Sequence, residues 1–283
     1  MTRTFWLFVG PFFLGLLVFV YVPIGWSVLL SFFDARNTVT PTTFMGFDNY
    51  ADMLTDGPFL ESLGTFSVFA AFVVPLTFVL ALALALLVNG IRFMQAFFRS
   101  VFFLPFACSY VVASLVWKLS LFNGVRYGLA NTVLGWFGAD PIAWTVTPPW
   151  YWLVLVTLRL WLQLGFYMIL FIAGLQRIPH HLYEAAWIDG ARPWQALRHI
   201  TLPQLRTTSV AVLLLLLIAA YQAFDEFYNV LGSGPFGRPP LVYLYYTSLG
   251  SGGQDFGHGS AGAVILSLLI AGVTLVQGRV FTR

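Results

Sequence analysis

Glu184-Ala185-Ala186-Trp187-Ile188-Asp189-Gly190-Ala191, running on to Ile200-Thr201-Leu202-Pro203, lies in the longest polar and basic interval between two very apolar segments. Pro179 suits the first position of a short helix, where its missing N–H costs nothing. Such a helix runs to Asp189 and sets Ala185, Ala186 and Asp189 on one face, three and four residues apart. Gly190 permits a tight bend that a Cβ would resist. Pro193 can open a second short helix, and Pro203 ends it ahead of the next apolar run. The sequence therefore predicts a helix–elbow–helix knob held between two membrane spans.

The rest of the chain explains what holds the knob. Of its 283 residues, 59% are hydrophobic and 9% charged, against about 25% charged in a soluble domain. So little polar surface excludes a water-soluble fold and makes the chain an integral membrane protein. Its apolar runs approach the ~20 residues that cross a bilayer as helix, which points away from a barrel. The basic balance, with a pI near 9.1, does not indicate nucleic acid, because the arginines are dispersed over loops. Cys108 stands alone in an apolar segment, so no internal disulfide or cysteine metal cage can form. It reads as a small core residue.

Six spans are expected at about 5–30, 63–88, 101–119, 150–175, 208–231 and 260–276, in a single all-α transmembrane domain over 1–283. The first exceeds the 7–15-residue apolar core of a signal peptide and lacks a clear cleavage site, so it reads as a retained helix. Pro11 and Pro23 can bend the first span, which is tolerated where neighbours satisfy the backbone, and Pro75 lies inside the second. Residues 127–137 suit a short amphipathic helix on the surface. Trp136, Trp144, Trp150 and Trp152 suit an interfacial aromatic belt.

Charge orients the spans. Arg3, Arg92, Arg99, Arg177, Arg192, Arg198, Arg206, Arg279 and Arg283 fall on one side, in the termini, the 89–99 loop and the 176–206 loop. The opposite loops hold Arg36, Arg126 and Arg238 as their basic residues. By the positive-inside rule both termini and the knob are cytoplasmic.

The knob also carries a spaced pattern: Glu184-Ala185-Ala186, three residues, Gly190, nine residues, then Ile200, Leu202 and Pro203. It resembles the EAA loop of ABC-importer permeases, the coupling helix that sits in a cleft of a cytoplasmic ATPase subunit. The resemblance implies that Glu184, Ala185, Ala186, Asp189, Gly190 and Ala191 meet that ATPase. The small alanines would allow close approach, and Glu184 would offer a carboxylate to a basic partner. Gly46-Phe47-Asp48-Asn49-Tyr50 resembles a signature following the first span in the sugar-type branch of these permeases. Gly232-Ser233-Gly234-Pro235, and Gly253-Gln254-Asp255-Phe256-Gly257 with the small residues 259–263, resemble further elements of that branch. The implied fold is that of a type I ABC-importer permease. The implied partners are a second homologous permease in a heterodimer, two ATPase subunits holding ATP and Mg, and an extracytoplasmic solute-binding protein. The implied location is a bacterial or archaeal plasma membrane, and the implied cargo a sugar or sugar-like solute.

The fifth span is the odd one. After the apolar run 210–220 come Tyr221, Gln222, Asp225, Glu226 and Asn229. On one continuous helix Gln222, Asp225 or Glu226, and Asn229 share a stripe. A charge at mid-bilayer costs about 2.5–3.5 kcal/mol on insertion scales, so such residues line a cavity or find a partner. Counting ~1.5 Å per residue sets Arg159 at about the depth of Gln222, and an Arg159 pair with Asp225 or Glu226 is expected. Sugar recognition needs planar polar side chains for hydroxyls and aromatic faces for the ring. Tyr221, Gln222, Asp225, Glu226 and Asn229, with Gln163 and Tyr167 from the fourth span, supply both.

No Gly-x-x-x-x-Gly-Lys-Ser/Thr occurs, so the chain cannot hold ATP in a P-loop of its own. His180, His181 and His199 lack the spaced partners of a zinc site, and no serine sits in a nucleophile elbow. A transport subunit without enzymatic activity or cofactor is expected. The rival is a secondary transporter or channel that uses Asp225, Glu226 and Arg159 as an ion relay. It leaves the knob unexplained, and the internal repeat common in such proteins is not evident.

Overall fold

The computed structural model of the protein describes every residue except 1, 92, 233, 235, 236, 251 and 283. Arg92 and Arg283 of the charge count, and Ser233 and Pro235 of the turn, lie outside the described residues. In chain order the helices are α1 (Thr2–Leu16), α2 (Val22–Leu30), α3 (Asp48–Thr55), α4 (Gly57–Gly90), α5 (Gln95–Phe103), α6 (Tyr110–Val116), α7 (Leu129–Trp136) and α8 (Trp150–Leu175). Then follow α9 (His180–Ile188), α10 (Pro193–Ala196), α11 (Leu202–Gln204), α12 (Arg206–Tyr221), α13 (Asp225–Leu231), α14 (Pro240–Leu249) and α15 (Phe256–Thr282). Among the described residues the extended pairing is limited to two isolated bridges, Phe33 with Phe44 and Arg36 with Asp255.

Among the described residues four helices are long and apolar enough to cross a membrane: Phe5–Leu30, Gly57–Gly90, Trp150–Leu175 and Phe256–Val276. Two bent pairs raise the number to six if each is one span: Gln95–Ala107 with Tyr110–Leu121, at 93°, and Pro193–Gln204 with Arg206–Tyr221, at 67°. The first bend was not expected, since 101–119 reads as one continuous span. Pro105 opens a 3₁₀ turn, Leu104–Ala107, and Ser109 is extended (φ −63°, ψ 133°) before α6 begins. Proline removes a backbone donor and narrows its predecessor's conformations, and here that stops the helix.

The chain forms two compact units, residues 1–63 with 240–271 and residues 64–239 with 272–283. In the first unit, the Gly-Phe-Asp-Asn-Tyr stretch acts as a main-chain clasp. Asn49 is buried and its Nδ2 donates to the carbonyls of Ser31 and Phe33, each at 3.0 Å. The Tyr50 hydroxyl meets Ser31 Oγ at 2.6 Å. The two Asn49 bonds satisfy main-chain carbonyls just past the end of the first apolar helix at Leu30. His258 lies between two carboxylates, its Nδ1 2.9 Å from Asp255 and its Nε2 3.2 Å from Asp52.

The second unit packs around α8. Leu155, Leu158, Met168 and Phe171 are wholly buried on it. Gly165 faces the Phe102 carbonyl so closely that a Cβ would stand 1.8 Å from the oxygen. α5 and α8 can therefore cross only at a glycine. Asn131 on α7 accepts from the Ile142 N–H and the Trp144 indole and donates to the carbonyls of Asn123, Val125 and Ile142. Trp144 is thus buried, not part of an interfacial belt. Cys108, expected in a core, is exposed, because it falls at the break before α6.

Tyr243 on α14 donates a short hydrogen bond to Asp56. Burial, and then the Asp56 carboxylate, push its hydroxyl up to about 12 from the ordinary 10.0. The unfolded chain releases this proton near pH 10 and the folded chain near pH 12. The stabilisation is whole below the first value and lost as pH rises to the second. Tyr243→Phe should flatten the alkaline fall of the melting temperature across that window; an unchanged slope would contradict the assignment.

Candidate functional site

α9 is preceded by Pro179 in extended conformation (φ −62°, ψ 130°), so proline stands just outside the helix and His180 opens it. The end of α9 is closed by its own backbone. Gly190 takes φ +76°, and its N–H donates to Trp187 O at 3.1 Å while that of Ala191 donates to Ala186 O at 2.8 Å. These are the two bonds of a Schellman closure, which needs a residue tolerant of positive φ after the cap. Pro193 is the first residue of α10, and the Gln195 side-chain carbonyl accepts from the Arg192 N–H at 2.7 Å. Pro203 does not end the return helix. It lies inside α11, where the first turn of a helix tolerates it, and the bend falls at Leu205.

Ala186, Asp189, Gly190 and Ala191 line one wall of a hollow of about 330 Å³, and Gln195, His199 and Ile200 line the other. The Tyr183 hydroxyl meets Thr201 Oγ1 at 2.9 Å and ties α9 to the returning chain. Glu184 is exposed and its carboxylate lies 3.0 Å from His180 Nδ1. The outward face is apolar: Trp187, Ile188 and Trp194 are 59%, 87% and 66% exposed. Large side chains held this open on a rigid, twice-capped elbow form a surface suited to a protein partner.

The polar residues of the fifth segment are arranged differently from a single stripe. α12 stops at Tyr221, Ala223 N turns to Ala220 O, and Phe224 (φ −140°, ψ −60°) leaves helical conformation before α13 begins. Gln222 and Asp225 therefore flank a break instead of sharing a face. The missed signal is the pair Asp225 and Glu226, acids that favour the first turn of a new helix. Arg159 Nη1 donates to Glu226 Oε1 at 2.6 Å, with both side chains almost fully buried, and Arg159 Nη2 donates to the carbonyl of Ala219. Asp225 makes no ion pair among the described residues. Leaving one member of a buried pair alone costs about 3–5 kcal/mol, so neither charge is dispensable singly.

Around this pair the Arg159 guanidinium lies 5.4 Å from the centre of the Tyr110 ring. Gln163 Nε2 donates to the Tyr110 hydroxyl at 2.8 Å. Lys118 Nζ donates to the carbonyl of Asn229 at 3.2 Å, and Asn229 Nδ2 to the carbonyl of Asp225 at 2.7 Å. Tyr110 and Lys118 were not singled out from the sequence, since their partners come from other helices. Of the expected solute-contacting residues, Gln222 is exposed, while Tyr221, Asp225 and Asn229 are half-buried. Glu226, Gln163 and Tyr167 are buried. Among the described residues no His, Cys, Asp and Glu side chains gather as metal ligands would.

Comparison with known proteins matches residues 92–283 to the family described as binding-protein-dependent transport system inner membrane component. The osmoprotective compounds uptake permease protein of Synechocystis is 32% identical over 279 residues, covering 97% of this chain and 98% of the relative. The sulfoquinovosyl glycerol transport system permease protein of Agrobacterium fabrum is 34% identical, covering 93% and 85%. The alpha-glucoside transport system permease protein of Rhizobium meliloti is 30% identical, covering 98% and 82%. A bacterial ABC transporter involved in import of the acidic polysaccharide alginate shares the fold, with a TM-score of 0.86 at 21% identity over 100% of this chain and 96% of that one. A second structure of an alginate ABC transporter, in complex with an alginate pentasaccharide-bound periplasmic protein, has a TM-score of 0.84 at 20% identity over 97% and 92%.

The closure of α9 yields a prediction. A β-branched residue at φ +76° is strained by about 1–2 kcal/mol, so Gly190→Val should open the Schellman bonds. Hydrogen exchange at the Gly190 and Ala191 amides should then quicken about tenfold, with α8 amides unchanged. Unaltered exchange would show that the elbow does not depend on the glycine.

Proposed function

This chain belongs to the family of binding-protein-dependent transport-system inner-membrane components, the permeases of ABC importers, and from that premise we propose that it passes a sugar or sugar-like solute. Supporting this class are the solutes named for its relatives, α-glucosides and sulfoquinovosyl glycerol among them. We take the single permease domain to run over 1–283, with each bent helix pair counted within one span. Both termini are cytoplasmic, in a bacterial or archaeal plasma membrane.

The observation that carries the reading is the knob of α9 and α10. Two cytoplasmic ATPase subunits, holding ATP and Mg, would receive one such knob from each of two related permeases in a heterodimer. Trp187 and Ile188 would be covered there, Ala185, Ala186 and Ala191 would allow close approach, and Asp189 and Gly190 would shape the elbow. Glu184 would exchange His180 for a basic residue of the ATPase. An extracytoplasmic binding protein would deliver the solute. ATP binding would then push the knob and reorient the path, a movement paid through differential affinity for the two states.

Tyr221, Gln222, Asp225 and Asn229 are the proposed solute contacts, because they are open or half-open beside a break in the helix. Gln163 and Tyr167 would join them only once uncovered by a conformational change, and Glu226 is committed to Arg159. The chain itself contributes positioning and a path, and no bond-making chemistry.

Purification from the native membrane in mild detergent tests the coupling. An ATPase subunit should accompany the wild type and be lost, or lose its stimulation, in a Glu184→Arg, Gly190→Trp variant. A wild type that carries no ATPase would sink the proposal.

A further inference from the structure

We infer that Arg159 is a positioning residue that holds the break in the fifth segment in register, with one arm on each side of it. In an unbroken helix the Ala219 carbonyl would accept from the Ala223 N–H. Here that N–H donates to Ala220 O at 3.1 Å instead, and the Ala219 carbonyl is left to Arg159 Nη2. Within a membrane span such a group needs a donor from the protein or from water in a cavity, and here the guanidinium supplies it. The other arm of the same guanidinium reaches Glu226 in the first turn of α13, at 2.6 Å. A planar fork holds its two arms in fixed directions, one to each site, which an ammonium on a flexible stem does not.

The far end of α13 is pinned as well. Lys118 Nζ donates to the Asn229 carbonyl at 3.2 Å, as cationic side chains do near helix C-termini. α13 has 7 residues, far below the ~12–15 at which a helix persists unaided. Its place therefore depends on its neighbours. Arg159 itself is anchored in α8, between the fully buried Leu158 and Leu162. Gln222 precedes the break and Asp225 follows it, so the spacing of these two side chains is set by the guanidinium. An ion pair serving stability alone would need only Glu226; the main-chain arm is what makes Arg159 a brace. The consequence for transport rests on the function proposed above, whereas the brace does not.

Hydrogen exchange on the purified protein, with whatever subunits accompany it, tests this. Arg159→Leu with Glu226→Leu removes both arms and leaves no orphaned charge. Amides of 219–231 should then exchange about tenfold faster, while those of α8 and the first half of α12 keep their protection. Arg159→Lys keeps a cation for Glu226 but not the fixed fork, and should loosen 219–224 more than 226–231. Wild-type exchange across 219–231 in the double variant would overturn the inference, and so would uniform loosening of the whole chain. If the double variant does not fold, Arg159→Lys decides alone: unchanged exchange at 219–224 overturns the brace. None of these readouts needs ATP or solute, so failure here and failure of the ATPase association are separate results.

Discussion

A helix that stops inside a bilayer leaves carbonyls and N–H groups that must find partners in the protein or in a water-lined cavity. That constraint governs the second unit of this chain. Between α12 and α13 one guanidinium and one ammonium, from Arg159 and Lys118, take up main-chain carbonyls at Ala219 and Asn229. The buried pair of Arg159 and Glu226 thereby keeps an irregular segment in place amid apolar helices. Through it α8 is joined to both sides of the break. The same economy appears outside the spans, where Asn49 serves the carbonyls of Ser31 and Phe33 and Asn131 organises a loop closed by Trp144.

The break and the knob are covalently close. α12 alone separates α11 from Gln222, and its 16 residues span roughly 24 Å. Val212, Leu216 and Ala220 are buried along it, so it is packed over its length. In the proposed function a push on the knob enters α12 at its first turn and arrives at the break held by Arg159. A stiff helix between a partner-facing elbow and a braced discontinuity is a direct way to couple ATP binding to the solute path. In that reading the proposed solute contacts Gln222, Asp225 and Asn229 would depend on the same brace.

Much of this was legible in the sequence, for identifiable reasons. Gly190 and Pro193 announce their turn chemistry locally, and hydropathy marks long apolar runs without reference to any partner. The acids Asp225 and Glu226 and the cation Arg159 stand out because charge inside an apolar run needs an explanation. What was not legible depends on contacts between distant segments. The choice of Glu226 over Asp225, the Ala219 carbonyl, the roles of Tyr110 and Lys118, and the burial of Trp144 all require the fold. The break before α6 had a visible cause in Pro105, but proline within a span signals only a weakness. Whether a helix bends or stops there is decided by the neighbours.

The central claim is that this chain moves solute at the expense of ATP held by a partner. It is tested most directly in proteoliposomes containing the complex purified through a tag on this chain, with the cognate binding protein outside and ATP either enclosed or omitted. Uptake of the labelled solute carried by that binding protein should require both enclosed ATP and the binding protein, and should ignore an imposed proton or sodium gradient. Uptake driven by such a gradient without ATP would contradict the account and place Arg159, Asp225 and Glu226 in an ion relay instead.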